Sequence, residues 1–375
     1  MKTPRANRLH IGIYGRRNAG KSTLINMLTG QKAALVSDTP GTTADPVYKS
    51  MELSPIGPVV FIDTAGYDDE GKLGNLRVEK TEDTLAKADV AILVINGEED
   101  PLDLLWARRI EELGIPLVRF KRGQSVEKLR EDIVAILPEN LVREKILGEL
   151  IEDGGLALLV MPQDIQAPKG RLILPQVQTI RELLDKRCTA VVTTADGLER
   201  SLGLLKSPPE LIITDSQCFE QVYKLKPAQS RLTSFSVLFA ACKGDIKKFT
   251  NGALAIDDII AKVKADKSFV PRILIAEACA HVPTGEDIGT VKIPAALRKA
   301  IPGQVEIINI RGNDFPKGEA LLEYDLIIHC GACMFNRRHV LSRIGEACDR
   351  GIPITNYGIA LAKLAGILDK IEIPS

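Results

Sequence analysis

The sequence predicts an α/β protein of three domains, in which a P-loop nucleotide-binding domain is followed by two α/β modules with parallel sheets. A complete phosphate-loop motif near the N-terminus, and strand-length apolar runs that alternate with helical patterns, indicate this class. The length of 375 residues also exceeds what one hydrophobic core ordinarily supports. We place the domains at residues 1–150, 151–246 and 247–375.

The phosphate loop reads G-R-R-N-A-G-K-S over residues 15–22, so every fixed position of G-x-x-x-x-G-K-[S/T] is filled. It follows an apolar run and precedes a helical pattern, which is the context that the motif requires. In such loops backbone N–H groups surround the phosphates, the lysine contacts the outer phosphates and the hydroxyl reaches magnesium. We therefore predict that the chain binds a nucleoside triphosphate, with Lys21 and Ser22 in those two roles. The predicted contact residues are Gly15, Asn18, Ala19, Gly20, Lys21, Ser22 and Thr23.

Two further segments of the first domain can complete the nucleotide site. Asp63 and Gly66 begin and end a D-T-A-G sequence after a buried run; the carboxylate can hold magnesium through water, and the glycine N–H can meet the γ-phosphate. Residues 38–45 are polar and rich in turn formers, which is typical of a loop. We expect Thr42 and Thr43 of this loop to close on the site when a γ-phosphate is present, with Thr43 as a magnesium ligand.

The remaining elements follow from the length and spacing of the apolar runs. Predicted strands occupy residues 10–14, 59–62, 90–95, 115–118, 156–161, 190–194, 211–214, 232–240, 272–278, 305–310, 325–328 and 353–356. Predicted helices occupy residues 22–28, 76–87, 126–137, 173–186, 198–205, 219–225 and 337–350.

Composition limits the classes of partner. The chain has 49 basic and 49 acidic residues and only 4% aromatic residues, which argues against a broad nucleic-acid interface. No apolar run approaches the ~20 residues of a membrane span, and the N-terminus lacks the apolar core of a signal peptide. Seven cysteines without a secretory signal favour reduced thiols or metal ligands. We expect a cytoplasmic protein that contacts neither nucleic acid nor membrane.

Two cysteine clusters follow two strands of the third domain. Cys279 and His281 come directly after one strand, and His329, Cys330 and Cys333 come directly after another. Open parallel sheets place their binding sites at the carboxyl ends of strands. If the two strands are neighbours, three thiols from two loops converge. The helix that follows can lower the pKa of these thiols through its dipole.

Three thiolates with a variable fourth ligand suit a 4Fe–4S cluster, whereas two cysteines with histidine or a third cysteine suit zinc equally well. Spacing alone does not separate these two metals. A third interpretation is a redox switch that uses Cys330 and Cys333. The other cysteines fit packing roles: Cys188, Cys218 and Cys242 as small buried side chains, and Cys348 within the core.

The nucleotide motifs resemble those of the small GTPases of the TrmE/Era branch, whose first switch carries P-G-T-T-x-D, as residues 40–45 do here. The resemblance covers about residues 9–137 and implies hydrolysis of GTP to GDP with Mg2+. Asn18 matches the asparagine of potassium-activated members, which implies a K+ site. Tyr67 stands where Ras-like proteins have the glutamine that orients water, so this task falls to another group.

One motif of these GTPases is missing. The guanine-reading N-K-x-D sequence should follow the strand near residues 115–118, but the chain runs from there directly into a helix at 126–137. The later base-contacting loop is missing as well. Either a segment of a couple of dozen residues is absent from the sequence or the domain does not select guanine. The intact flanking elements favour the first explanation.

The GTPase, the α/β module and the Cys-x-His plus His-Cys-x-x-Cys signature together resemble the HydF family, the maturation GTPases of FeFe-hydrogenase. The resemblance spans the whole chain. It implies a scaffold and carrier for the two-iron subcluster precursor, which works with the radical-SAM maturases HydE and HydG and delivers to the hydrogenase HydA. It also implies that residues 156–244 form a dimerisation module, so that the protein is a homodimer or a higher oligomer.

The same resemblance places the three cluster cysteines on Cys279, Cys330 and Cys333. For the fourth ligand we rank Glu286 above His329 and His281, because a carboxylate oxygen binds iron more weakly than a thiolate and can be displaced. Each histidine has the alternative of packing beside the metal. The rival interpretation of the whole chain is an RNA- or ribosome-associated GTPase with a structural zinc module.

Overall fold

The computed structural model describes residues 7–29, 46–53, 56–68, 71–137, 145–161, 172–278, 287–312, 314–332 and 334–374. The chain divides into two compact units, Met1–Glu144 and Lys145–Ser375. Both units are mixed α/β, as the sequence predicts. No helix within the described ranges is long and apolar enough to cross a bilayer.

The first unit is a five-stranded sheet with helices packed against it. Its strands are β1 (Leu9–Tyr14), β2 (Val47–Leu53), β3 (Gly57–Asp63), β4 (Val90–Ile95) and β5 (Leu117–Lys121), in the order β2-β3-β1-β4-β5. Its helices are α1 (Lys21–Thr29), α2 (Gly71–Leu85), α3 (Pro101–Glu112) and α4 (Val126–Ile136). All pairings are parallel except that of β2 with β3. All six residues of β4 are buried, as expected for a strand covered by helices on both faces.

A short turn joins β5 directly to α4, where the guanine-reading segment was expected. Gly123 adopts a φ of 97°, and the N–H of Gln124 donates to the carbonyl of Lys121 at 3.0 Å. Ser125 caps the helix by accepting a hydrogen bond from the N–H of Lys128 at 3.1 Å. The join is thus a well-formed strand–turn–helix, and the sequence between these two elements contains no N-K-x-D motif.

The second unit contains two four-stranded sheets, and all of their strand pairings are parallel. One sheet has the order β7-β6-β8-β9, from β6 (Leu156–Val160), β7 (Thr189–Thr193), β8 (Leu211–Thr214) and β9 (Arg231–Ser234). The other has the order β11-β10-β12-β13, from β10 (Arg272–Glu277), β11 (Glu306–Arg311), β12 (Leu326–His329) and β13 (Ile354–Asn356). Helices occupy Leu174–Asp185, Leu198–Leu204, Phe219–Leu225, Phe235–Lys243, Ile246–Ala265, Ile293–Ala300, Arg337–Asp349 and Tyr357–Leu364.

The two sheets of the second unit share one hydrophobic core. Leu158 and Ile212 from the first sheet belong to the same buried cluster as Leu274 and Ile327 from the second. The helix Ile246–Ala265 also packs closely against the second sheet: a Cβ added to Gly252 would lie 2.0 Å from a backbone oxygen of β13. The two sheets therefore pack as a single body.

Several expectations differ from the structure. The apolar run 232–240 was predicted as one strand, but β9 ends at Ser234 and the helix Phe235–Lys243 begins there. Ser234 caps this helix by accepting from the N–H of Val237 at 3.3 Å, and a short apolar run does not by itself separate a strand from a buried helix. The edge strand β2 was not predicted, and neither were the helices Pro101–Glu112, Ile246–Ala265, Ile293–Ala300 and Tyr357–Leu364. Cys348 was expected in the core but is exposed, and Cys218 was expected to be buried but is only partly buried, whereas Cys188 and Cys242 are buried as predicted.

Candidate functional site

The phosphate loop joins β1 to α1 and bends through three residues of positive φ. Gly15, Asn18 and Gly20 have φ angles of 154°, 60° and 103°. A Cβ at Gly15 would lie 2.7 Å from the carbonyl oxygen of Val94 on the neighbouring strand, so the first glycine is required for close approach as well as for conformation. Asparagine is among the few other residues that readily adopt such a φ, which suits Asn18 to its position.

Lys21 lies folded over this loop. Its side chain is buried, and its Nζ donates to the carbonyls of Gly15 and Arg16, both at 2.8 Å. The ammonium charge is therefore fixed against the loop, where a point charge can neutralise phosphate oxygens.

Ser22 and Asp63 bring two oxygen groups together at the start of α1. The Ser22 hydroxyl donates to Oδ2 of Asp63 at 3.0 Å. Burial raises the pKa of Asp63, and the hydrogen bond from Ser22 and the charges of Lys21 and Lys49 oppose that shift. A hydroxyl next to a carboxylate is the hard-oxygen donor set that Mg2+ prefers. These two residues fit the magnesium that the motif implies.

The D-T-A-G segment lies directly against the phosphate loop. A Cβ at Gly66 would be 2.6 Å from the backbone N and 2.9 Å from the Cα of Arg17. The N–H of Arg17 in turn donates to Oδ1 of Asp68 at 2.5 Å. Because a methyl group has no room here, only glycine allows the two segments to touch.

Tyr67 is directed into the core of the first unit. Its ring stacks on Trp106 with centroids 4.8 Å apart, and its hydroxyl donates to Oδ1 of Asp103, which is fully buried. Arg16 of the phosphate loop bridges Asp103 at 3.2 Å and Asp100 at 2.5 Å. Burial and the neighbouring Asp103 raise the pKa of the Tyr67 phenol, which keeps it neutral. Tyr67, which replaces the water-orienting glutamine, thus holds the chain just after the D-T-A-G segment against α3.

Thr42 and Thr43 lie outside the described residues, as does the rest of the predicted switch loop up to residue 45. Of the predicted nucleotide-site residues, the structure brings together the phosphate loop, Asp63 and Gly66. Sequence reasoning missed the anchoring partners Asp103 and Trp106, although the D-P-L-D sequence before Trp106 is a recognisable helix start.

In the second unit, the two strands that precede the cysteine clusters are neighbours. Ala276 of β10 pairs with His329 of β12, and the N–H of Cys330 donates to the carbonyl of Ala276 at 2.9 Å. The Cys330 Sγ accepts backbone hydrogen bonds from Ala278 at 3.0 Å and from Ala332 at 3.4 Å. Ala332 has a φ of 51°, which folds the segment back over its own cysteine.

Four of the six predicted cluster residues lie outside the described part of the chain, namely Cys279, His281, Glu286 and Cys333. Among the described residues, no group of three or more His, Cys, Asp or Glu side chains is arranged to hold a metal. Cys279 directly follows Ala278, whose N–H contacts the Cys330 sulfur. Two N–H donors on a half-buried thiol are an environment that stabilises a thiolate, which fits a sulfur-ligated metal.

His329 is buried, with both ring nitrogens engaged. Arg343 can only donate, so its Nη1 donates to Nε2 of His329 at 3.1 Å; the proton then lies on Nδ1, which donates to the carbonyl of Cys330 at 2.8 Å. Burial, and then the charge of Arg343, lower the pKa of His329 to about 4. In this arrangement the imidazole is neutral and has no free lone pair for a metal.

A polar group missed by the sequence reasoning lies at the end of β10. Glu277 is buried and accepts from Nε of Arg311 at 3.0 Å and from the Tyr357 hydroxyl at 3.3 Å. Burial raises the pKa of Tyr357, and the charges of Glu277 and Cys330 act in the same direction. A Cβ at Gly289 would lie 2.2 Å from the Tyr357 hydroxyl, so the chain is tightly packed beside this group.

Three family models match the chain in succession. The 50S ribosome-binding GTPase model matches residues 10–121, the hydrogen maturase F dimerization domain matches 146–244, and the hydrogen maturase F tetramerization domain matches 258–373.

Curated relatives match about a third of the chain. GTPase Der of Wolinella succinogenes is 38% identical over 128 residues, which cover 33% of this chain and 26% of that protein. The tRNA modification GTPase MnmE of a Jannaschia species is 32% identical over 148 residues, or 36% of this chain and 34% of that protein. The chain thus spans about a quarter to a third of the length of these relatives.

Solved structures give a weaker likeness. A single-residue variant of Aquifex aeolicus Era bound to GDP and AlF4- has a TM-score of 0.28 at 16% identity, covering 82% of this chain and 94% of that one. The G domain of the T. maritima FeoB iron transporter has a TM-score of 0.25 at 23% identity, covering 34% of this chain and 98% of that one.

The phosphate loop, the D-T-A-G contact and the GTPase match define a P-loop protein of the GTPase class, joined to α/β oligomerisation modules. Both modules of the second unit match one family and follow one another in the chain. The chain belongs to the hydrogen maturase F family, HydF.

Proposed function

We propose that this chain hydrolyses GTP to GDP with Mg2+, stimulated by K+, and that it holds a 4Fe–4S cluster and carries the two-iron subcluster precursor of FeFe-hydrogenase. The family match supports a hydrogenase-maturation GTPase, and the two sites described above support the separate nucleotide and cluster roles.

The residues of the first unit divide the nucleotide chemistry among them. Lys21 neutralises the outer phosphates, Ser22 and Thr43 bind magnesium, and Asp63 holds it through water. Gly66, in contact with the phosphate loop, directs its N–H to the γ-phosphate. Thr42, in the same loop as Thr43, closes with it over the nucleotide site. Asn18 supplies an oxygen to potassium. GTP binding thereby orders residues 38–45 and the stretch after Gly66, which changes the surface offered to partners.

The chain lacks the N-K-x-D motif by which related GTPases select guanine. We expect GTP to be the preferred substrate, as the family match implies. Competition of GTP and ATP for one fluorescent GDP analogue tests this, with Lys21→Ala as the variant that should lose both. Equal affinity for the two nucleotides would contradict guanine selection and leave phosphate binding intact.

The cluster proposal rests on Cys279, Cys330 and Cys333 as ligands. The main support for this ligand set is the hydrogen bond from the Ala278 N–H to the Cys330 sulfur, because Ala278 directly precedes Cys279 and lies beside the second cysteine loop. For the fourth position we favour Glu286, with His281 as the alternative. His329 ranks behind both, because its two ring nitrogens already contact Arg343 and a backbone carbonyl.

Such a cluster would supply an exchangeable iron position and one-electron chemistry when bound. The chain's own task is to exclude water, present thiolates and assemble. Dimerization and tetramerization modules support a homodimer that forms higher oligomers. We propose that in the cytoplasm it receives the precursor through HydE and HydG and delivers it to HydA.

Metal analysis after anaerobic purification tests the cluster proposal. The native chain should contain about four irons with matching sulfide and little zinc. Cys330→Ala should lose the iron, whereas Cys348→Ala, which removes an exposed thiol on the helix Arg337–Asp349, should keep it. Zinc in place of iron would point to a structural metal module instead.

A further inference from the structure

Arg343 is a buried cation next to the proposed cluster. It lies on the helix Arg337–Asp349 and has 4% of its surface exposed. Its guanidinium carbon lies 4.7 Å from the ring centroid of Phe315 and 4.6 Å from that of Phe335, so it is enclosed between two aromatic faces. Nη1 donates to His329, Nη2 donates to the carbonyl of Gly312, and the buried Nε has no hydrogen-bond partner among the described residues.

None of these partners carries a negative charge. Across the described residues, no carboxylate oxygen lies within 4.0 Å of Arg343, whereas Arg311 at the end of β11 is paired with Glu277 at 3.0 Å. A buried charge is costly unless an opposite charge or strong hydrogen bonds offset the lost hydration, and the attraction of aromatic rings alone is the weaker effect. An anion near Arg343 would therefore stabilise the guanidinium.

Cys330 is the residue of this contact network that could carry a negative charge, as a thiolate ligand of the proposed cluster. Its carbonyl holds the same imidazole that Arg343 contacts, and its sulfur already accepts two backbone N–H groups. Burial lowers the pKa of Arg343 to about 10 and the charge on Cys330 opposes this, so the guanidinium stays protonated at neutral pH. A cluster held by three thiolates is net negative and becomes more so on reduction.

We propose that Arg343 is the buried counter-cation of the metal cluster at Cys330, and that it raises the reduction potential of that cluster. His329 is the spacer between the two: it keeps the guanidinium one imidazole away from the cysteine loop and does not bind metal. Arg343 is therefore a positioning and electrostatic residue. This inference rests on the cluster site of the proposed function.

The direction of the effect follows from charge. Reduction adds an electron, for instance from dithionite, and so increases the negative charge that Arg343 stabilises. Arg343→Met and Arg343→Gln remove the positive charge, and the second keeps a hydrogen-bond donor. Both should lower the equilibrium constant for reduction about tenfold, which is a potential about 59 mV more negative. Arg343→Lys keeps the charge and should stay within about twofold of the native value.

The experiment is a redox titration of the full chain, reconstituted anaerobically and followed by the electron paramagnetic resonance of the reduced cluster. Iron and sulfide content are measured in the same samples. The matched control is Arg350→Met, which removes the same charge from an exposed position at the end of the same helix. It should leave both content and potential unchanged.

Each outcome separates the two proposals. A native chain without iron–sulfur cluster overturns the cluster proposal itself. Full cluster content with an unchanged potential in both neutral variants overturns the role of Arg343 and leaves the cluster proposal standing. Cluster loss in the neutral variants with retention in Arg343→Lys supports the role, because the charge is then needed for binding. Cluster loss in Arg343→Lys as well overturns it, since shape would then be decisive.

Discussion

The backbone N–H of Ala278 donates a hydrogen bond to the sulfur of Cys330 at 3.0 Å, across two parallel strands that end side by side. This hydrogen bond links two cysteine loops that lie about 50 residues apart in the sequence. It depends on the order β11-β10-β12-β13, which puts the two cysteine-bearing strands next to each other. The adjacency of β10 and β12 meets the condition on which convergence of the two loops depends.

The contact of Gly66 with Arg17 predicts that adding one methyl group at Gly66 slows GTP hydrolysis. Gly66→Ala would place a Cβ 2.6 Å from the Arg17 nitrogen, so the phosphate loop and the D-T-A-G segment must separate. Misplacement of catalytic groups by about 1 Å can cost about 100-fold in rate, and we expect a loss of kcat for GTP of that order. Steady-state kinetics measure it. Gly203→Ala, which meets no atom within 4 Å, is the control, and a normal rate in G66A would refute the contact.

The environment of Tyr67 predicts a stability change at high pH. Its pKa is raised above the ordinary value of 10.0 by burial and by Asp103, so the native state holds its proton after the unfolded state has lost it. The stabilisation is fully present below pH 10.0 and declines as the pH rises further, by about 1.4 kcal/mol per pH unit. Tyr67→Phe should lack this contribution.

Denaturant unfolding of the native chain and of Y67F between pH 9 and 11 gives the comparison, with Tyr223→Phe as a half-exposed control. The free energies of unfolding of native and Y67F proteins should converge with rising pH. Parallel curves would show that Tyr67 ionises equally in both states.

Asn18 predicts the response to potassium. We expect GTP hydrolysis to be faster in KCl than in NaCl, and Asn18→Gly to lose this difference while keeping nucleotide affinity, because glycine also accepts the φ of 60°. Asn18→Asp, which retains a side-chain oxygen, should keep the stimulation in part. Equal rates in both salts for the native chain would rule out a potassium site.

Gly252 predicts a stability effect in the second unit. A Cβ at this position would lie 2.0 Å from the Ile354 carbonyl oxygen, so Gly252→Ala must push the helix Ile246–Ala265 away from β13. Overpacking of this kind typically lowers the free energy of unfolding by about 1–3 kcal/mol. Because the added methyl group would meet backbone atoms, which cannot change rotamer, the structure has little room to relax. Denaturant unfolding measures it against Gly203→Ala in the same unit, and equal stabilities of the two variants would contradict the packing.

The sequence predicted best the elements whose residues form either a continuous apolar run or a clear helical pattern. The strand at 90–95 and the helix at 219–225 agree with the structure at both ends, because an apolar run and a clear helical pattern bound them. Strand β2 was missed because it lies at the sheet edge and alternates weakly, with Val47 exposed. The helix after Ser234 was missed because Phe235 and Val237 in its first turn favour a strand as readily as a buried helix.

At the sites, motifs predicted residues whose chemistry is fixed by type, such as Lys21 with its loop and Ser22 with Asp63. They could not predict the supporting side chains. Arg343 reaches His329, and Tyr357 reaches Glu277, from helices that lie further along the chain, and no local spacing encodes such tertiary contacts.

The common core of the two sheets in the second unit has a consequence for how this half of the protein melts. Leu158 and Leu274, from different sheets, lie in one cluster, and the N–H of Glu372, near the end of the described chain, donates to the carbonyl of Leu232 on β9 at 2.8 Å. Neither sheet can lose its packing while the other keeps its own. Heating should therefore produce one shared calorimetric transition for the two sheets of this unit.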